Sequence, residues 1–218
     1  MLVAIDGPAG SGKSSVARVS AERLGVVDLN TGATYRAVAL LSIKEGVPPT
    51  DGAALARIAR RVELDGERVS VDGDEVPEGA LRTPEVSAAA SKVSSNPELR
   101  EVLVGVQRRA AWKARAEGGA VVEGRDIGTV VLPDADVKVF LSASAEERAR
   151  RRASQSGRED EIERITAAIR QRDKQDTERA ASPLKPAPDA VVVDTTSMSL
   201  DEVVSSVLAL AGRVREGA

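Results

Sequence analysis

The sequence predicts a three-layer α/β fold, in which helices cover both faces of a parallel β-sheet. Short apolar runs alternate along the 218-residue chain with segments of helical periodicity, and this alternation is typical of such a sheet. Near-continuous apolar runs suit strands that are buried on both faces. The predicted strands are Leu2–Ile5, Val26–Leu29, Ala120–Glu123, Val137–Leu141 and Ala190–Val193.

The helices are predicted from the spacing of apolar residues and from the signals at their ends. Lys13–Leu24 carries apolar residues at helical spacing and is stopped by Gly25. Pro84–Ser94 and Pro97–Ala116 each begin with a proline, which the first helical turn tolerates. The other predicted helices are Gly32–Glu45, Ala53–Val62, Ala145–Ala153, Glu161–Glu178 and Leu200–Arg213.

Residues 50–96 contain no run of the kind that forms a central strand. Within them Leu64–Val76 alternates in polarity and carries the turn signals Asp65-Gly66 and Asp72-Gly73, which predicts a small antiparallel hairpin. We therefore expect a core made of residues 1–49 and 97–218, with residues 50–96 inserted over the carboxyl edge of the sheet. Ligands bind at that edge in open α/β sheets.

The composition excludes several classes of function. The chain has no cysteine and no histidine, so thiolate zinc sites and histidine-based nucleophilic catalysis are excluded. Its aromatic residues are one Tyr, one Trp and one Phe, and its net charge is −3, which disfavours nucleic acid as a partner. The sequence contains neither a leader-like start nor a membrane-length apolar run. We expect a cytoplasmic protein.

A glycine-rich loop follows the first predicted strand. Gly7–Ser14 matches G-x-x-x-x-G-K-[ST], and it lies between a strand and a helix as that motif requires. Backbone N–H groups of such a loop hold phosphate oxygens, the Lys13 ammonium reaches the outer phosphates, and the Ser14 hydroxyl ligates Mg²⁺. The predicted ATP-binding residues are Gly7, Pro8, Ala9, Gly10, Ser11, Gly12, Lys13, Ser14 and Ser15, with Mg²⁺ as the cofactor.

The loop leaves the reaction open among a GTPase switch, an ATPase motor and a small-molecule kinase. The Asn-Lys-x-Asp sequence of guanine-specific switches is absent, and Val121-Val122-Glu123 leads into Gly124-Arg125-Asp126 rather than the Asp-Glu pair of a motor. A kinase needs several arginines to hold a second anionic substrate. This chain offers Arg36, Arg82, Arg100, Arg125, Arg148, Arg150, Arg151, Arg152, Arg158, Arg172 and Arg179.

Several segments resemble successive motifs of the bacterial cytidylate kinases. They are Gly7–Ser14, Leu29–Arg36, Arg82–Val86, Glu123–Val131, Arg172-Asp173, Arg179-Ala180 and Pro183–Ala187, in the family's order. The similarity extends from Leu2 to the last helix, and the Glu123–Val131 segment is its most specific part. One position departs from the family, because Asn30 replaces the usual aspartate and lacks its charge.

The resemblance implies transfer of the γ-phosphate of ATP to CMP or dCMP. It also implies an NMP-binding domain, a short lid at residues 153–161 and a monomer. The implied catalytic residues are Lys13, Arg125 and Arg172. The implied CMP-binding residues are Thr31, Tyr35, Arg36, Ser91, Arg100, Arg125, Asp126, Asp176 and Arg179.

Plainer interpretations of some of these residues stay open. Without the resemblance, Ser91 is interpreted as a solvated serine on a helix, and Tyr35 is interpreted as a half-buried tyrosine that packs against its neighbours. Arg172, Asp176 and Arg179 share a helix face, which suits either a nucleotide site or a surface ion pair. For the whole chain, the alternatives are a kinase for UMP, AMP or a small metabolite, and a regulatory P-loop ATPase that binds a protein partner.

Overall fold

The computed structural model describes residues 1–179 and 181–216 and contains the predicted central sheet. Five parallel strands lie in the order β2-β6-β1-β7-β8, so β1 is the middle strand. The strands are β1 (Leu2–Asp6), β2 (Val27–Asn30), β6 (Ala120–Glu123), β7 (Val137–Ser142) and β8 (Val191–Asp194). All five predicted strands are confirmed, with ends that differ by one residue or less.

The register of the sheet brings three strand ends to one edge. Ile5 lies opposite Glu123 of β6, and Asn30 of β2 lies opposite the same Glu123. Asp6, the last residue of β1, pairs in register with Phe140 of β7. The polar residues that end these apolar strands therefore meet at the carboxyl edge, where α/β folds bind their ligands.

Alternate residues of β1 enter two hydrophobic clusters on opposite faces of the sheet. Val3 and Ile5 pack with residues of α1 and α9, whereas Leu2 and Ala4 pack with residues of α2 and α6. Because successive side chains of a strand point to opposite faces, a wholly apolar strand requires helices on both sides. The helices of these two layers are α1 (Lys13–Leu24), α2 (Thr31–Lys44), α6 (Pro97–Ala116) and α9 (Leu200–Glu216).

The segment between α2 and α6 is fully described and adds no strand to the central sheet. It contains α3 (Gly52–Ala59), the antiparallel strands β3 (Val62–Asp65), β4 (Arg68–Val71) and β5 (Asp74–Glu75), and the helices α4 (Glu78–Leu81) and α5 (Pro84–Val93). The predicted hairpin is therefore confirmed, and β5 extends it to three strands. The division of the chain at residues 50 and 96 stays a prediction, because α3 packs on α6 and α5 packs on α2 within one cluster.

Three predicted helix ends were wrong by three residues. The helices predicted to end at Ala153 and Arg213 extend to Ser156 and Glu216, and the third predicted helix was too long. Helical periodicity was expected to continue through Val62, but α3 ends at Ala59 and Val62 opens β3, where it pairs with Val71. Val62 is buried in the cluster that joins this small sheet to the core. Pairing and burial in the sheet thus outweigh the weak preference of the local sequence for helix.

The predicted lid region consists of two packed helices and their connection. These are α7 (Ala145–Ser156) and α8 (Ile162–Glu178), joined through Gly157 and a 3₁₀ turn at Glu159–Glu161. Gly157 has a φ of 61°, which suits glycine at the end of α7. The helices pack through Ala149, Ala153, Ile165 and Ile169. Movement of residues 153–161 as a lid stays a prediction.

A turn of π-helix at Ile127–Val131 follows β6 and was not predicted. It begins directly after Asp126, inside the segment that resembles the family most closely. Arg108 of α6 donates from Nε to the Val131 carbonyl at 2.8 Å and from a terminal nitrogen to the Val130 carbonyl at 2.7 Å. Such insertions frequently mark functional sites.

Two adjacent glycines before β6 allow a test of how closely the backbone packs. Gly118 and Gly119 have similar φ values, 123° and 133°. A Cβ at Gly119 would lie 2.3 Å from the Met1 carbonyl oxygen. A Cβ at Gly118 would meet no described atom within 4 Å. Gly118→Ala should lower the free energy of unfolding by about 1–3 kcal/mol through backbone strain alone. Gly119→Ala should cost about 1–3 kcal/mol more through overlap.

Urea unfolding of the two variants measures this difference, and Gly118→Ala serves as the matched control. Equal losses in both variants would contradict the close approach of Met1 to Gly119.

Candidate active site

A cavity of about 280 Å³ opens at the carboxyl ends of β1, β2 and β6. Its wall combines the phosphate loop, the start of α2, the α5 and α6 helices, the segment after β6 and the α8 helix. It is lined by Ala9, Gly10, Lys13, Ser14, Asn30, Thr31, Gly32, Tyr35, Arg36, Ser87, Ala90, Ser94, Arg100, Glu123, Gly124, Arg125, Asp126, Arg152, Arg172, Asp176 and Arg179.

The phosphate loop wraps the amino end of α1, as the motif predicts. Gly7, Gly10 and Gly12 have φ values of 151°, 77° and 88°, which are conformations that other residues rarely adopt. A Cβ at Gly7 would lie 2.2 Å from the Leu141 carbonyl oxygen of β7, so glycine is also required there by space. The first N–H groups of a helix have no acceptor within it, and Lys13 and Ser14 at the amino end of α1 line the cavity, where the helix dipole favours an anion.

Lys13 is a buried cation at the mouth of this loop. Its Nζ donates to the Pro8 carbonyl oxygen at 2.7 Å. Burial, followed by the positive charge of Arg125, lowers the pKa of Lys13 to about 7. A phosphate group beside Lys13 would favour its charged form, because an opposite charge raises the pKa of an ammonium group.

Ser14 and Glu123 bring a hydroxyl and a carboxylate together at the end of the loop. Ser14 Oγ donates to Glu123 Oε2 at 3.0 Å, and Glu123 is the buried last residue of β6. Within the described residues no cluster of three or more acidic side chains forms a metal site. Mg²⁺ binds with one or two protein oxygens and completes its shell with phosphates and water, so Ser14 and Glu123 fit that ion.

Three arginines surround the carboxylate of Asp176 in the middle of the cavity. Asp176 lies 3.5 Å from Arg125, 3.9 Å from Arg172 and 3.8 Å from Arg179, and it is buried. Arg125 also donates to the Gly7 carbonyl oxygen at 3.0 Å. The predicted sharing of one helix face by Arg172, Asp176 and Arg179 is confirmed, and that face points into the cavity.

The positive charge of these arginines exceeds what Asp176 balances. Burial lowers the pKa of Arg125 to about 10, and burial also lowers the pKa of Arg36 and of Arg179. Within the described residues Arg36 Nε, Arg172 Nε and a terminal nitrogen of Arg179 are buried without a hydrogen-bond partner. Buried N–H donors without acceptors cost free energy, so this part of the cavity favours an anion with several oxygens.

A tight ion pair closes the other end of the cavity. Arg100 and Asp126 lie 2.5 Å apart and are both buried, and Arg100 also donates to the Ser94 carbonyl oxygen at 2.9 Å. The Arg100 guanidinium lies 5.2 Å from the centre of the Tyr35 ring. Burial raises the pKa of Tyr35 to about 12, so its phenol is neutral. This part of the cavity therefore places a hydrogen-bond donor, Arg100, and an acceptor, Asp126, beside the ring of Tyr35.

Most of the predicted site residues lie in this one cavity. Of the others, Gly7, Pro8, Ser11 and Gly12 form the loop around it, and Ser15 lines a neighbouring cavity. Ser91 is not among the lining residues; its carbonyl oxygen accepts a hydrogen bond from Ser94 Oγ. Ser87 of α5 and Ser94, the C-cap residue of that helix, line the wall instead, although their spacing places both on the same side as Ser91.

Sequence reasoning also missed Glu123 and did not single out Arg152. Glu123 could have been found as the acidic residue that ends an apolar strand at the carboxyl edge. Arg152 belongs to the arginine-rich helix α7, whose members have different surroundings. Arg148 is buried and holds Asp173 through two hydrogen bonds, whereas Arg150 and Arg151 bind Glu147. Arg152 lines the cavity.

A second cavity of about 510 Å³ adjoins the first and separates α1 and β2 from the small antiparallel sheet. Asp28 of β2 and Glu67 of the β3–β4 turn both line it. Burial first, and then the charges of Glu123 and Glu67, raise the pKa of Asp28 to about 8. Asn30, which replaces the family's aspartate, lies between the two cavities and accepts from Arg36 at 3.4 Å.

A glycine-rich phosphate loop on a parallel α/β sheet, opening into a cavity lined with arginines, defines a P-loop phosphotransferase. A family model described as cytidylate kinase matches residues 3–213. The chain therefore belongs to the cytidylate kinase family.

Two relatives illustrate this membership. The chain is 46% identical to the cytidylate kinase of Symbiobacterium thermophilum, over 95% of this chain and 94% of the relative. It is 47% identical to the cytidylate kinase of Mycobacterium leprae, over 100% of this chain and 98% of the relative. The crystal structure of an uncharacterized protein from Eubacterium ventriosum has a TM-score of 0.51 at 12% identity, covering 96% of both chains, and it supports the fold alone.

The raised pKa of Asp28 predicts a pH-dependent stability. Folded Asp28 keeps its proton up to about pH 8, whereas an unperturbed aspartate releases it near 3.8. The folded state therefore binds more protons in this window, and this carboxyl group makes stability fall as the pH rises from about 4 to about 8. Because Asn cannot ionise, Asp28→Asn should raise the melting temperature at pH 8 by roughly 10 °C more than at pH 4.

Thermal unfolding of both proteins between pH 4 and pH 9 measures this effect. Asp134→Asn, at an exposed aspartate, is the control for the change in net charge. A constant difference between Asp28→Asn and the unsubstituted protein across this range would show that folded Asp28 titrates normally.

Proposed function

We propose that this chain transfers the γ-phosphate of ATP to CMP and dCMP, giving ADP and CDP or dCDP. The observation that carries the proposal is the order of groups along one cavity. The arginines around Asp176 lie between the phosphate loop and the buried Arg100–Asp126 pair. Arg125 contacts both Gly7 of the loop and Asp176, and Arg179 lies beside Asp176 and within range of the charges of Arg100 and Asp126. This order matches a nucleoside monophosphate whose phosphate points toward ATP.

The donor nucleotide binds through the loop from Gly7 to Ser15. Backbone N–H groups hold the β-phosphate, and the Lys13 ammonium binds oxygens of the β- and γ-phosphates. Ser14 and Glu123 hold Mg²⁺, and this ion neutralises the charge on the phosphates of ATP when it is bound. Lys13 is a catalytic residue because it stabilises the charge that develops on the transferred group.

The acceptor phosphate binds among Arg36, Arg125, Arg172 and Arg179. Their guanidinium donors match phosphate oxygens in geometry, and several of these donors are buried without protein partners. Arg125 bridges the two sites, because it contacts both Asp176 and the loop carbonyl of Gly7. The attacking atom is already a phosphate oxygen anion near neutral pH, so the transfer needs no general base and no histidine.

The base end selects cytosine. Asp126 accepts a hydrogen bond from the cytosine amino group, and Arg100 donates to the ring nitrogen N3 or the carbonyl O2. Tyr35 packs beside the base and sugar, and Asp176 binds the sugar hydroxyls. Thr31 holds the backbone at the end of β6 in place, because its hydroxyl donates to the Glu123 carbonyl oxygen at 2.7 Å. Ser91 reaches the base if α5 shifts toward the cavity when CMP binds.

The remaining expectations follow the family. We propose that the enzyme is a monomer, that it acts in the cytoplasm, and that residues 50–96 and 153–161 close over the two nucleotides. None of the helices in residues 1–179 and 181–216 combines the length and the hydropathy of a membrane-crossing segment.

A coupled assay of ADP release tests the proposed activity against its alternatives. ATP is supplied with CMP, dCMP, UMP or AMP, and in a control with no acceptor. We expect rapid ADP formation with CMP and dCMP and slow formation with UMP and AMP. Comparable rates with UMP or AMP would refute the cytosine specificity. Rapid ATP turnover without an acceptor would favour a regulatory ATPase and refute the proposal.

Replacement of the two residues at the base end separates their roles. Ionised Asp126 faces the carbonyl of uracil with lone pair against lone pair, so CMP should be used about 10- to 1,000-fold more efficiently than UMP. Asp126→Asn should shrink this preference, because an amide can turn a donor toward the uracil carbonyl. Arg100→Met should weaken both nucleotides, because O2 is an acceptor in either base.

The measurement is kcat/KM for CMP and UMP in the three enzymes. Because Arg100 balances the charge of Asp126, Arg100→Met also leaves a buried carboxylate unpaired, so its melting temperature is measured as a control. An unchanged CMP to UMP ratio in Asp126→Asn would place Asp126 in phosphate or metal positioning instead.

A further inference from the structure

Asp6 is a buried carboxylate whose contacts connect the two halves of the site. It is the last residue of β1 and directly precedes Gly7 of the phosphate loop. Its Oδ1 accepts from the Ile127 N–H and its Oδ2 from the Gly128 N–H, both at 2.8 Å. It is 4% exposed, and it is not among the residues that line the nucleotide cavity.

The two N–H groups that Asp6 accepts stand at the start of the π-turn Ile127–Val131. N–H groups in the first turn of a helical segment have no acceptor within that segment, so a carboxylate at this point fixes the backbone firmly. The fit is close, because a Cβ at Gly128 would lie 3.4 Å from Asp6 Oδ2. The residue immediately before these two N–H groups is Asp126, the proposed reader of the base.

The phosphate loop contacts the same segment a second time. Arg125, which precedes Asp126, donates to the Gly7 carbonyl oxygen at 3.0 Å. Two consecutive residues of the β1–loop junction, Asp6 and Gly7, therefore hold the four-residue segment from Arg125 to Gly128. The position of the acceptor residues is thereby tied to the loop that holds the donor phosphates.

We propose that Asp6 is a positioning residue for the acceptor site, which sets the direction of Asp126 and Arg125 relative to the phosphate loop. This inference rests on the proposed CMP kinase activity. Burial raises the pKa of Asp6 to about 6, so its ionised form is not favoured by its surroundings. The carboxylate offers one acceptor oxygen to each of the two N–H groups, which an amide of the same shape cannot do, because one of its two polar atoms is a donor.

Asp6→Asn tests the role, because it keeps the shape but sets an amide donor against one of the two N–H groups. We expect kcat/KM for CMP to fall about 10- to 100-fold, and the CMP to UMP ratio to fall about 10-fold, with KM for ATP changed less than about threefold. The matched control is Asp136→Asn. Asp136 accepts from the Leu2 N–H at the opposite end of β1, and it is remote from the cavity.

Asp6 accepts the N–H groups of Ile127 and Gly128, and Asp136 accepts the N–H group of Leu2 and pairs with Arg115, so each variant loses a carboxylate that accepts backbone N–H groups. The melting temperatures of the two variants report how much stability each loss costs. Asp136→Asn should keep the CMP to UMP ratio and the activity of the unsubstituted enzyme. A purely structural role of Asp6 predicts that Asp6→Asn also keeps the ratio and loses activity only as its melting temperature falls. That result would overturn the proposal.

Gly128→Ala disturbs the same contact from the other side with Asp6 intact, and it tests the role if Asp6→Asn does not fold. Its methyl group would lie 3.2 Å from Lys138 Cδ and 3.4 Å from Asp6 Oδ2, so we expect the backbone at residue 128 to shift relative to Asp6 and the CMP to UMP ratio to fall here too. The proposal would be overturned if Gly128→Ala keeps the CMP to UMP ratio of the unsubstituted enzyme and Asp6→Asn either does not fold or also keeps that ratio. A failure of the proposed CMP kinase activity can be told apart from a failure of the proposal for Asp6. In the first case the unsubstituted enzyme itself would show no preference for CMP.

Discussion

The arrangement of the active site depends on the sharing of the Asp176 carboxylate by three arginines. Asp176 and Arg172 belong to α8, Arg179 follows its end, and Arg125 comes from the segment after β6. Like charges this close would repel each other in a buried site without an anion between them. The carboxylate therefore allows α8 to lie against the edge of the sheet, where its residues reach the cavity.

An ion pair between buried Arg148 and partly exposed Asp173 holds α8 to the phosphate loop. Arg148 of α7 binds Asp173 through two hydrogen bonds of 2.9 and 2.6 Å, and it donates to the Ala9 carbonyl oxygen of the loop at 3.1 Å. Asp173 is adjacent to Arg172, so the same contact fixes the helix that carries Arg172 and Asp176. The apolar contacts of Ala149 and Ala153 with α8 complete this packing. Donor loop and acceptor helix are thus joined by charge and by packing.

The elements could largely be predicted from the sequence, because apolar periodicity and glycine positions are local signals. The five strands, the phosphate loop and the hairpin are examples. The π-turn at Ile127–Val131 could not be predicted, because it forms through contacts with Asp6 and Arg108, which are distant in sequence. Glu123 carries a local signal, because it is the acidic residue that ends an apolar strand, but its contact with Ser14 appears only in the folded chain. Periodicity could not distinguish Ser91 from Ser87 and Ser94, because their spacing places all three on the same side of α5.

The two ends of the cavity differ in how completely their charges are satisfied. Arg100 and Asp126 are paired at 2.5 Å, whereas the contacts of Asp176 with its three arginines are 3.5 to 3.9 Å long. A prearranged pair presents fixed donors and acceptors, so a base with the wrong pattern leaves a buried group unpaired. Loosely held guanidinium groups gain their full hydrogen bonding only when a phosphate enters. We therefore expect discrimination among bases at the Arg100–Asp126 end, and binding of the acceptor phosphate among the arginines around Asp176.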